Sequence, residues 1–219
     1  MNKIALITGA TSGIGQATAL KAAEAGFDII ITGRRAERLE TLAKEIRNKG
    51  VDVLTLNFDI RQAMEVDKAI GSLTDKWKNI SVLVNNAGLA VGVSPIQEGI
   101  LDDWERMIDT NIKGLLYITR AVAPLMIAQN CGHIVNLASI AGKEVYPGGN
   151  VYCATKHAVD ALSKAMRTDM LKHNIKVTNI APGMVETEFS LVRYKGDAAA
   201  AKNVYKGLTP LTNEDIADT

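Results

Sequence analysis

One segment close to the start of the chain indicates the fold most directly: Ile4-Ala5-Leu6-Ile7-Thr8-Gly9-Ala10-Thr11-Ser12-Gly13-Ile14-Gly15. Its first half is an apolar run typical of a buried strand, and its second half carries glycines in the pattern G-x-x-x-G-x-G. A tight turn alone would use glycine. Between a first strand and a first helix, however, glycines let the backbone approach a pyrophosphate, whose charge then meets the helix N-terminus. The stretch therefore predicts a nucleotide-binding turn.

Short β-rich runs recur along the whole chain and alternate with helical stretches. The runs span residues 4–8, 28–32, 51–57, 80–84, 133–137 and 176–180. The helical stretch 37–49 has its apolar residues at positions 39, 42, 43 and 46, and Gly50 is expected to end it at the C′ position. Runs nearly continuous in Val, Ile and Leu indicate strands buried on both faces. We therefore predict one α/β domain over residues 1–219, with a doubly wound parallel sheet in a three-layer α-β-α arrangement.

The composition excludes several classes of protein. The 219 residues carry 25 Lys+Arg against 24 Asp+Glu, a formal net charge of +1. Nucleic acid or an anionic membrane as the main partner would require a basic excess. Apolar runs are too short for a signal peptide or a membrane span. Two cysteines form no disulfide framework, and the three histidines lack partners at metal-ligand spacing, so we expect a cytoplasmic protein without a metal site.

The end of the second predicted strand indicates which cofactor the turn would bind. Thr32-Gly33-Arg34-Arg35 contains no acidic residue. An NAD site usually places an acid there for the ribose hydroxyls, whereas arginine accommodates the 2′-phosphate of NADP. A guanidinium matches phosphate geometry, and cations at a helix N-terminus favour an anion nearby. The alternative is that both arginines are solvated. We predict NADP as the cofactor.

A third group of residues indicates proton transfer. Tyr152 and Lys156 are four residues apart and would share one face of a helix. Ser139 ends the fifth predicted strand, at the sheet edge where ligands bind. A phenol with a pKa of about 10 is a poor base at neutral pH, and a neighbouring ammonium lowers that pKa. We therefore predict that Tyr152 transfers a proton to a carbonyl or from an alcohol.

Taken together, these motifs resemble those of the short-chain dehydrogenase/reductase superfamily. The resemblance rests on residues 8–15, Asn85-Asn86-Ala87-Gly88, Ser139, Tyr152-x-x-x-Lys156 and Pro182-Gly183, and it covers nearly the whole chain. It implies hydride transfer between a nicotinamide cofactor and an alcohol or carbonyl.

The resemblance also implies roles for four active-site residues. In it Tyr152 is the acid–base group and Ser139 holds the substrate oxygen. Lys156 binds the nicotinamide ribose and lowers the pKa of Tyr152, and Asn111 supports a proton-relay water.

The same resemblance implies cofactor contacts along the sheet edge. Asp59 and Ile60 would contact the adenine, and residues 182–187 would cover the nicotinamide end. The complete predicted set is Gly9, Ala10, Thr11, Ser12, Gly13, Ile14, Gly15, Arg34, Arg35, Asp59, Ile60, Asn86, Ala87, Gly88, Tyr152, Lys156, Pro182, Gly183, Val185 and Thr187.

A narrower resemblance concerns the substrate. Residues 85–126, 148–156 and 182–197 resemble those of NADP-dependent serine/3-hydroxy acid dehydrogenases, and residues 188–197 are particularly similar. This implies a small 3-hydroxy acid such as serine, or a related aldehyde or ketone, as the substrate. Its carboxylate loses water on binding, so a cation should meet it, and we predict Arg193 in that role beside Ser139 and Tyr152. The alternative is that Arg193 is solvated on an exposed loop.

Two other functions are compatible with these residues. A 3-oxoacyl thioester reductase would share every catalytic residue. A cofactor-sensing binding protein would keep the fold without catalysis, and the presence of Asn111, Ser139, Tyr152 and Lys156 argues against it.

Three expectations concern the remaining chain. The resemblance implies a homotetramer joined by the helices of residues 102–125 and 151–173, and Pro124 predicts a kink or an end in the first of these. Thr212 and Asp215 form a capping-box pattern that predicts a helix start. The fold implies a further helix and strand beyond Thr219.

Overall fold

A parallel sheet of six strands forms the centre of the molecule, of which the computed structural model describes residues 3–219. The strands are β1 Ile4–Ile7, β2 Asp28–Gly33, β3 Val53–Asn57, β4 Ile80–Asn85, β5 Gly132–Leu137 and β6 Ile175–Ile180. They lie in the order β3-β2-β1-β4-β5-β6, and every adjacent pair is parallel. The doubly wound sheet and its six predicted strands are confirmed, with ends that differ by one or two residues.

Helices cover both faces of this sheet. They are α1 Gly13–Glu24, α2 Ala36–Arg47, α3 Ala63–Gly71, α4 Asp75–Lys78, α5 Leu101–Ile108, α6 Leu115–Gln129, α7 Asn150–Met170, α8 Glu188–Arg193, α9 Ala198–Asn203 and α10 Asn213–Ala217. A π-helical segment, Asp109–Gly114, joins α5 directly to α6.

The core consists of two apolar layers, one on each face of the sheet. Leu6 and Ile30 pack in one layer with residues of α3, α6 and α7. Ile7 and Ile31, which point the opposite way, pack in the other layer with residues of α1, α2 and α10. Successive residues of a strand face opposite sides, so a strand covered on both sides must be apolar throughout. This explains why β1 and β2 show no polar alternation, whereas the edge strand β6 alternates buried Ile175 and Val177 with exposed Lys176 and Thr178.

Helix α2 ends slightly before the predicted point. Its last residue is Arg47, with Asn48 as the C-cap. The backbone N–H groups of Lys49 and Gly50 turn back to the carbonyls of Ile46 and Arg47 in a tight final turn. Gly50 then takes a φ of 83°, which favours glycine. The glycine expected at C′ therefore lies one position later.

Pro124 lies inside α6 and does not end this helix, which continues for five residues beyond the proline. The expectation of an end there was wrong. Proline removes one N–H donor from the helix, and here buried neighbours on both sides, Val122, Ala123 and Met126, hold the helix against the sheet. Tertiary packing outweighs this local cost.

The predicted capping box opens the last helix, α10. The Thr212 Oγ1 accepts a hydrogen bond from the Asp215 backbone N–H at 3.2 Å, and the Asp215 carboxylate accepts one from the Thr212 N–H at 2.8 Å. Ile216 of this helix is buried in the layer that contains α1, and Asp218 forms an ion pair with Lys21 at 2.6 Å.

No helix within residues 3–219 is both long and apolar enough to cross a lipid bilayer.

Replacing Leu6 by alanine should lower the free energy of unfolding by about 2–5 kcal/mol, because a fully buried side chain of the central strand leaves a cavity. Urea denaturation measures the change. The matched control is Met64→Ala on α3, whose side chain is 87% exposed and should change stability by less than about 0.5 kcal/mol. Equal effects of the two substitutions would contradict this description of the core.

Candidate active site

A cleft opens at the carboxyl ends of the strands, where the chain crosses from β3 to the other side of β1 to form β4. Ligands of open α/β sheets bind at such a switch point. The cleft measures about 1490 Å³, including the part that is open to solvent. Its lining residues are Gly9, Thr11, Ser12, Gly13, Ile14, Arg34, Arg35, Asn86, Ala87, Gly88, Leu89, Arg106, Thr110, Leu137, Ala138, Ser139, Tyr152, Lys156, Pro182, Gly183, Val185, Thr187, Glu188, Phe189 and Val192.

The glycine loop after β1 packs tightly against the loop after β4. Gly9 and Gly13 have φ values of 65° and 56°, a region that costs other residues strain. A Cβ on Gly9 would lie 2.8 Å from the Cα of Ala87. The Asn86 Nδ2 donates hydrogen bonds to the carbonyl oxygens of Thr8 and Gly9, at 2.8 and 3.1 Å. Gly9 and Gly13 therefore present backbone at this end of the cleft.

Two predicted members of the glycine loop, Ala10 and Gly15, support it from behind and do not line the cleft. Ala10 is fully buried, and its N–H donates to the Thr32 carbonyl at 3.0 Å. A Cβ on Gly15 would collide with the Asn86 amide and would lie 2.6 Å from the Gly9 carbonyl oxygen. These two positions hold the turn in shape.

Arg34 and Arg35 lie on the rim of the cleft beside the glycine loop. The Arg35 guanidinium donates to the Thr11 Oγ1 from Nε at 3.0 Å and from Nη2 at 2.7 Å, and to the Ser12 Oγ at 2.8 Å. Arg34 is 59% exposed, with the Asp59 carboxylate 3.9 Å away. Positive charge is thus placed where the sequence predicts a phosphate.

Ser139, Tyr152 and Lys156 come together in the cleft, as predicted. Ser139 follows β5 and begins a short 3₁₀ turn, where its Oγ accepts a hydrogen bond from the N–H two residues on, at 3.1 Å. Tyr152 and Lys156 are buried one turn apart near the start of α7. The Lys156 Nζ donates to the Leu137 carbonyl at 2.8 Å and lies 5.9 Å from the centroid of the Tyr152 ring.

Burial is the largest influence on the pKa values of Tyr152 and Lys156. Burial raises the pKa of Tyr152 to about 12, although hydrogen bonding with Ser139 and the charge of Arg193 act to lower it. Burial lowers the pKa of Lys156 to about 8. The Lys156 amine donates to the Leu137 carbonyl, and its expected lowering of the pKa of Tyr152 stays a prediction. At neutral pH the phenol therefore holds its proton.

Asn111 supports the site from outside the cleft. It lies in the π-helical segment and is 2% exposed. Its Nδ2 donates to the Leu89 carbonyl at 2.8 Å and to the Thr155 Oγ1 at 3.0 Å, and its Oδ1 accepts from the Leu89 N–H at 2.8 Å. The side chain thus ties the loop after β4 to α7. Helical periodicity in the sequence does not reveal a π segment, although such segments often occur at functional sites.

The two residues expected at the adenine, Asp59 and Ile60, are not among those that line the cleft. The Asp59 carboxylate accepts hydrogen bonds from the Arg61 guanidinium, the shortest at 2.6 Å. The Ile60 side chain packs in the apolar layer of α3, α6 and α7. The contact of Asp59 and Ile60 with adenine stays a prediction. For Ile60 the backbone would have to make this contact, because the side chain packs in the core.

The segment after β6 closes the opposite side of the cleft. Pro182, Gly183, Val185 and Thr187 line it, as predicted. The Thr187 Oγ1 accepts a hydrogen bond from the Phe189 N–H at 3.2 Å and so caps α8. The Phe189 ring then lies 5.6 Å from the ring of Tyr152.

Sequence reasoning missed several residues of the cleft, among them Leu89, Arg106, Thr110, Phe189 and Val192. The apolar members look like any core residue in the sequence. Position gives the only usable signal: Leu89 directly follows the Asn86–Gly88 motif, and Phe189 lies two residues after Thr187.

Arg193 lies next to the tyrosines and not on the cleft wall. Its guanidinium carbon is 5.1 Å from the centroid of the Tyr146 ring and 5.8 Å from that of Tyr152. The Nη1 donates to the Tyr146 hydroxyl at 2.9 Å. Its Nε is buried and has no hydrogen-bond partner within residues 3–219. A buried guanidinium nitrogen without a hydrogen-bond partner is energetically costly.

The cleft fits a dinucleotide with a 2′-phosphate. Gly9 lets the glycine loop pack closely against the loop after β4, and Gly9, Ser12 and Gly13 line the cleft at the start of α1, where a pyrophosphate can approach the backbone. Arg34 and Arg35 stand beyond it, and the tyrosine and lysine lie at the far end. The arrangement places a proton donor where a reacting carbonyl or alcohol would meet the cofactor.

Comparison with known proteins agrees with this geometry. Residues 3–196 match the family model for short chain dehydrogenases. The NADP-dependent 3-hydroxy acid dehydrogenase YdfG of Salmonella typhi is 49% identical over 98% of this chain and 86% of its own length. Serine 3-dehydrogenase of Agrobacterium fabrum is 48% identical over the whole chain and 86% of its own length.

Solved structures of dehydrogenases are also similar to this chain. The closed form of a serine dehydrogenase complexed with NADP+ superposes with a TM-score of 0.93 at 45% identity, covering 98% of this chain and 86% of that one. With the family model matching most of its length, this chain belongs to the short chain dehydrogenase family.

Proposed function

We propose that the protein is an NADP-dependent oxidoreductase that interconverts the hydroxyl of a small 3-hydroxy acid, such as serine, and the corresponding carbonyl. One observation carries the proposal: a single cleft joins the glycine loop to Ser139, Tyr152 and Lys156, with the Arg193 guanidinium beside the tyrosine. The names of the similar dehydrogenases support the same cofactor and substrate class.

Tyr152 performs the proton transfer in this proposal. The cofactor, when bound, would supply the hydride as NADPH or accept it as NADP+. Ser139 and Tyr152 line the same part of the cleft and hold the substrate oxygen between their hydroxyls. With its pKa raised by burial, Tyr152 donates a proton to a carbonyl oxygen at neutral pH. In the opposite direction it must first lose that proton, so alcohol oxidation is favoured at alkaline pH.

Lys156 holds the cofactor ribose from the floor of the cleft. Its stem is buried in α7, and its amine is fixed by the Leu137 carbonyl, so only its remaining N–H donors can reach a ligand. The lowered pKa reflects the cost of burying this charge. Lys156 is therefore placed to bind the cofactor, and the burial of its charge is unfavourable for the stability of the fold.

Arg193 recognises the substrate carboxylate. It stacks beside Tyr152 and has a buried Nε that lacks an acceptor among the described residues. A guanidinium can bind both oxygens of a carboxylate. This observation favours a hydroxy acid over the 3-oxoacyl thioester alternative, which has no carboxylate next to its reacting carbon.

The test of the proposed activity is the change in NADPH absorbance with three classes of substrate: small 3-hydroxy acids, matched uncharged alcohols and a 3-oxoacyl thioester. Turnover of the hydroxy acids with NADP supports the proposal. Preference for the thioester supports the alternative, and binding of NADP without turnover of any substrate indicates a cofactor-sensing protein.

Replacing Tyr152 by phenylalanine should lower kcat by about 10²–10⁴-fold, the usual contribution of a general acid. NADP binding, measured by calorimetry, should persist because the ring still fills its place. Tyr117→Phe makes the same chemical change in α6, with its ring against the core, and should leave kcat unchanged. Near-normal turnover in the Tyr152→Phe variant would contradict the mechanism.

Replacing Lys156 by methionine should remove a pH dependence of stability. The folded-state pKa of about 8 lies below the ordinary value of 10.5, so between these values the unfolded chain binds a proton that the folded chain does not. Wild-type stability therefore rises with pH in this window, relative to the variant, by at most about 3 kcal/mol at 1.36 kcal/mol per pKa unit. Urea denaturation at pH 7.5 to 10.5 measures the difference (the window is set by the two values above). Parallel stability curves would exclude a buried, charged Lys156.

Replacing Arg193 by alanine should raise KM for 3-hydroxy acids by tenfold or more, about the loss of one charge-assisted hydrogen bond. Uncharged alcohols should be affected much less, because they have no carboxylate to bind. Lys202→Ala, which removes an exposed cation on α9, is the matched control and should change neither KM. A uniform effect of the Arg193 substitution on both substrate types would reject the carboxylate role.

The homotetramer and the cytoplasmic location, both expected from the sequence, stay predictions. Exposed Leu101 and Leu116 on α5 and α6 are compatible with contacts between subunits.

A further inference from the structure

Glu188 connects α8 to the arginines on the rim of the cleft. Its Oε2 lies 3.1 Å from the Arg35 Nη1, and both of its carboxylate oxygens accept hydrogen bonds from the Arg38 Nη1, at 2.8 and 2.9 Å. Arg35 is the residue before α2 and Arg38 lies in its first turn. One carboxylate therefore neutralises two cations beside the site predicted for the 2′-phosphate.

Arg35 has few donors left for another anion. Its Nε and Nη2 are directed to the hydroxyls of Thr11 and Ser12, and its Nη1 is directed to Glu188. Arg34, in contrast, is 59% exposed and lies 3.9 Å from its acidic neighbour Asp59. A phosphate that arrives at the rim would meet one accessible arginine and one that already binds an anion.

We propose that Glu188 is a specificity-determining residue whose carboxylate competes with the 2′-phosphate of NADP for Arg35 and Arg38. The inference rests on the proposed NADP-dependent function. A carboxylate and a phosphate that share one guanidinium repel each other, so binding exchanges one anion for the other. NAD has no phosphate at this position and requires no exchange. Glu188 thus lowers the advantage of NADP over NAD that the arginines would otherwise provide.

Two features of the segment agree with such an exchange. The ion pairs are half-exposed, with side chains between 44% and 47% accessible, and exposed pairs contribute little free energy, so they can be broken by a stronger anion. Hydrogen bonds from Arg38 and Arg35 also hold the pKa of Glu188 below its ordinary value, against the effect of burial. The competing group is therefore charged at neutral pH.

Glu188 also lies on the helix that borders the substrate end of the cleft. Glu188 is the first residue of α8, and the same helix carries Phe189 and Arg193 beside Tyr152. The two ion pairs join this helix to α2 across the rim of the cleft. The position of Glu188 thus links the site of the 2′-phosphate to the residues that face the substrate.

The test is calorimetric binding of two nucleotides to Glu188→Gln and to wild type. Adenosine 2′,5′-bisphosphate carries the phosphate in question, adenosine 5′-monophosphate lacks it, and neither can react. Glutamine keeps the shape of the side chain and removes its charge. We expect the variant to bind the bisphosphate about two- to tenfold more tightly, the range for loss of two exposed ion pairs. Affinity for the monophosphate should stay the same.

The matched control is Glu186→Gln, which removes the same charge two residues earlier. Glu186 is exposed, and residues 3–219 provide no ion pair to its side chain. It should bind both nucleotides as wild type does. Thermal unfolding of the variants shows that each is folded before binding is measured.

The outcomes separate this inference from the proposed function. Failure of both wild type and Glu188→Gln to prefer the bisphosphate would contradict the NADP assignment itself. A wild-type preference with no tightening in Glu188→Gln would overturn the competition alone. Weaker binding by that variant would also overturn it and would mean that Glu188 positions Arg35 for the phosphate. An equal gain in bisphosphate affinity in Glu188→Gln and Glu186→Gln would also overturn the competition, because loss of any nearby negative charge would then explain the gain.

Discussion

The loops after β1 and β4 are locked together at the centre of the sheet edge, and the site depends on this contact. The buried Thr8 hydroxyl donates to the Val84 carbonyl and accepts from the N–H groups of Asn86 and Ala87, both at 3.0 Å. Asn86 returns hydrogen bonds to the carbonyls of Thr8 and Gly9. Because these hydrogen bonds satisfy the polar groups of both loops at a partly buried contact, they hold the backbone of the glycine loop beside the cleft.

The chemical residues are held by the same sheet edge, at an energetic cost. Lys156 extends from α7 to the carbonyl that ends β5, and Asn111 reaches from a π-helical segment to the loop after β4 and to Thr155. Burial shifts the pKa of Tyr152 upward and that of Lys156 downward. Both shifts disfavour the charged form. The site therefore stores unfavourable electrostatics that a purely structural core would avoid, as functional sites commonly do.

Helix α8 brings the cofactor and substrate ends of the cleft into one unit. Its first residue is paired with arginines near the glycine loop, its second places an aromatic ring on Tyr152, and its last contacts both tyrosines. Just beyond it, Lys195 forms a 2.7 Å ion pair with the buried Asp103 on α5. A six-residue helix has little stability of its own. These contacts with side chains from distant parts of the chain determine where it lies.

Local sequence is sufficient to predict the buried parallel sheet, its six strands, the glycine loop and the pairing of Tyr152 with Lys156, because each depends on local periodicity or on spacing within one turn. Residues far apart in the chain required the tertiary structure. The π segment that turns Asn111 inward, the carbonyl that takes up the Lys156 amine, and the acid at position 188 that binds Arg35 and Arg38 leave no local pattern. The pKa of Tyr152 likewise depends on burial by neighbours distant in sequence, since desolvation is a property of the folded surroundings and not of the residue.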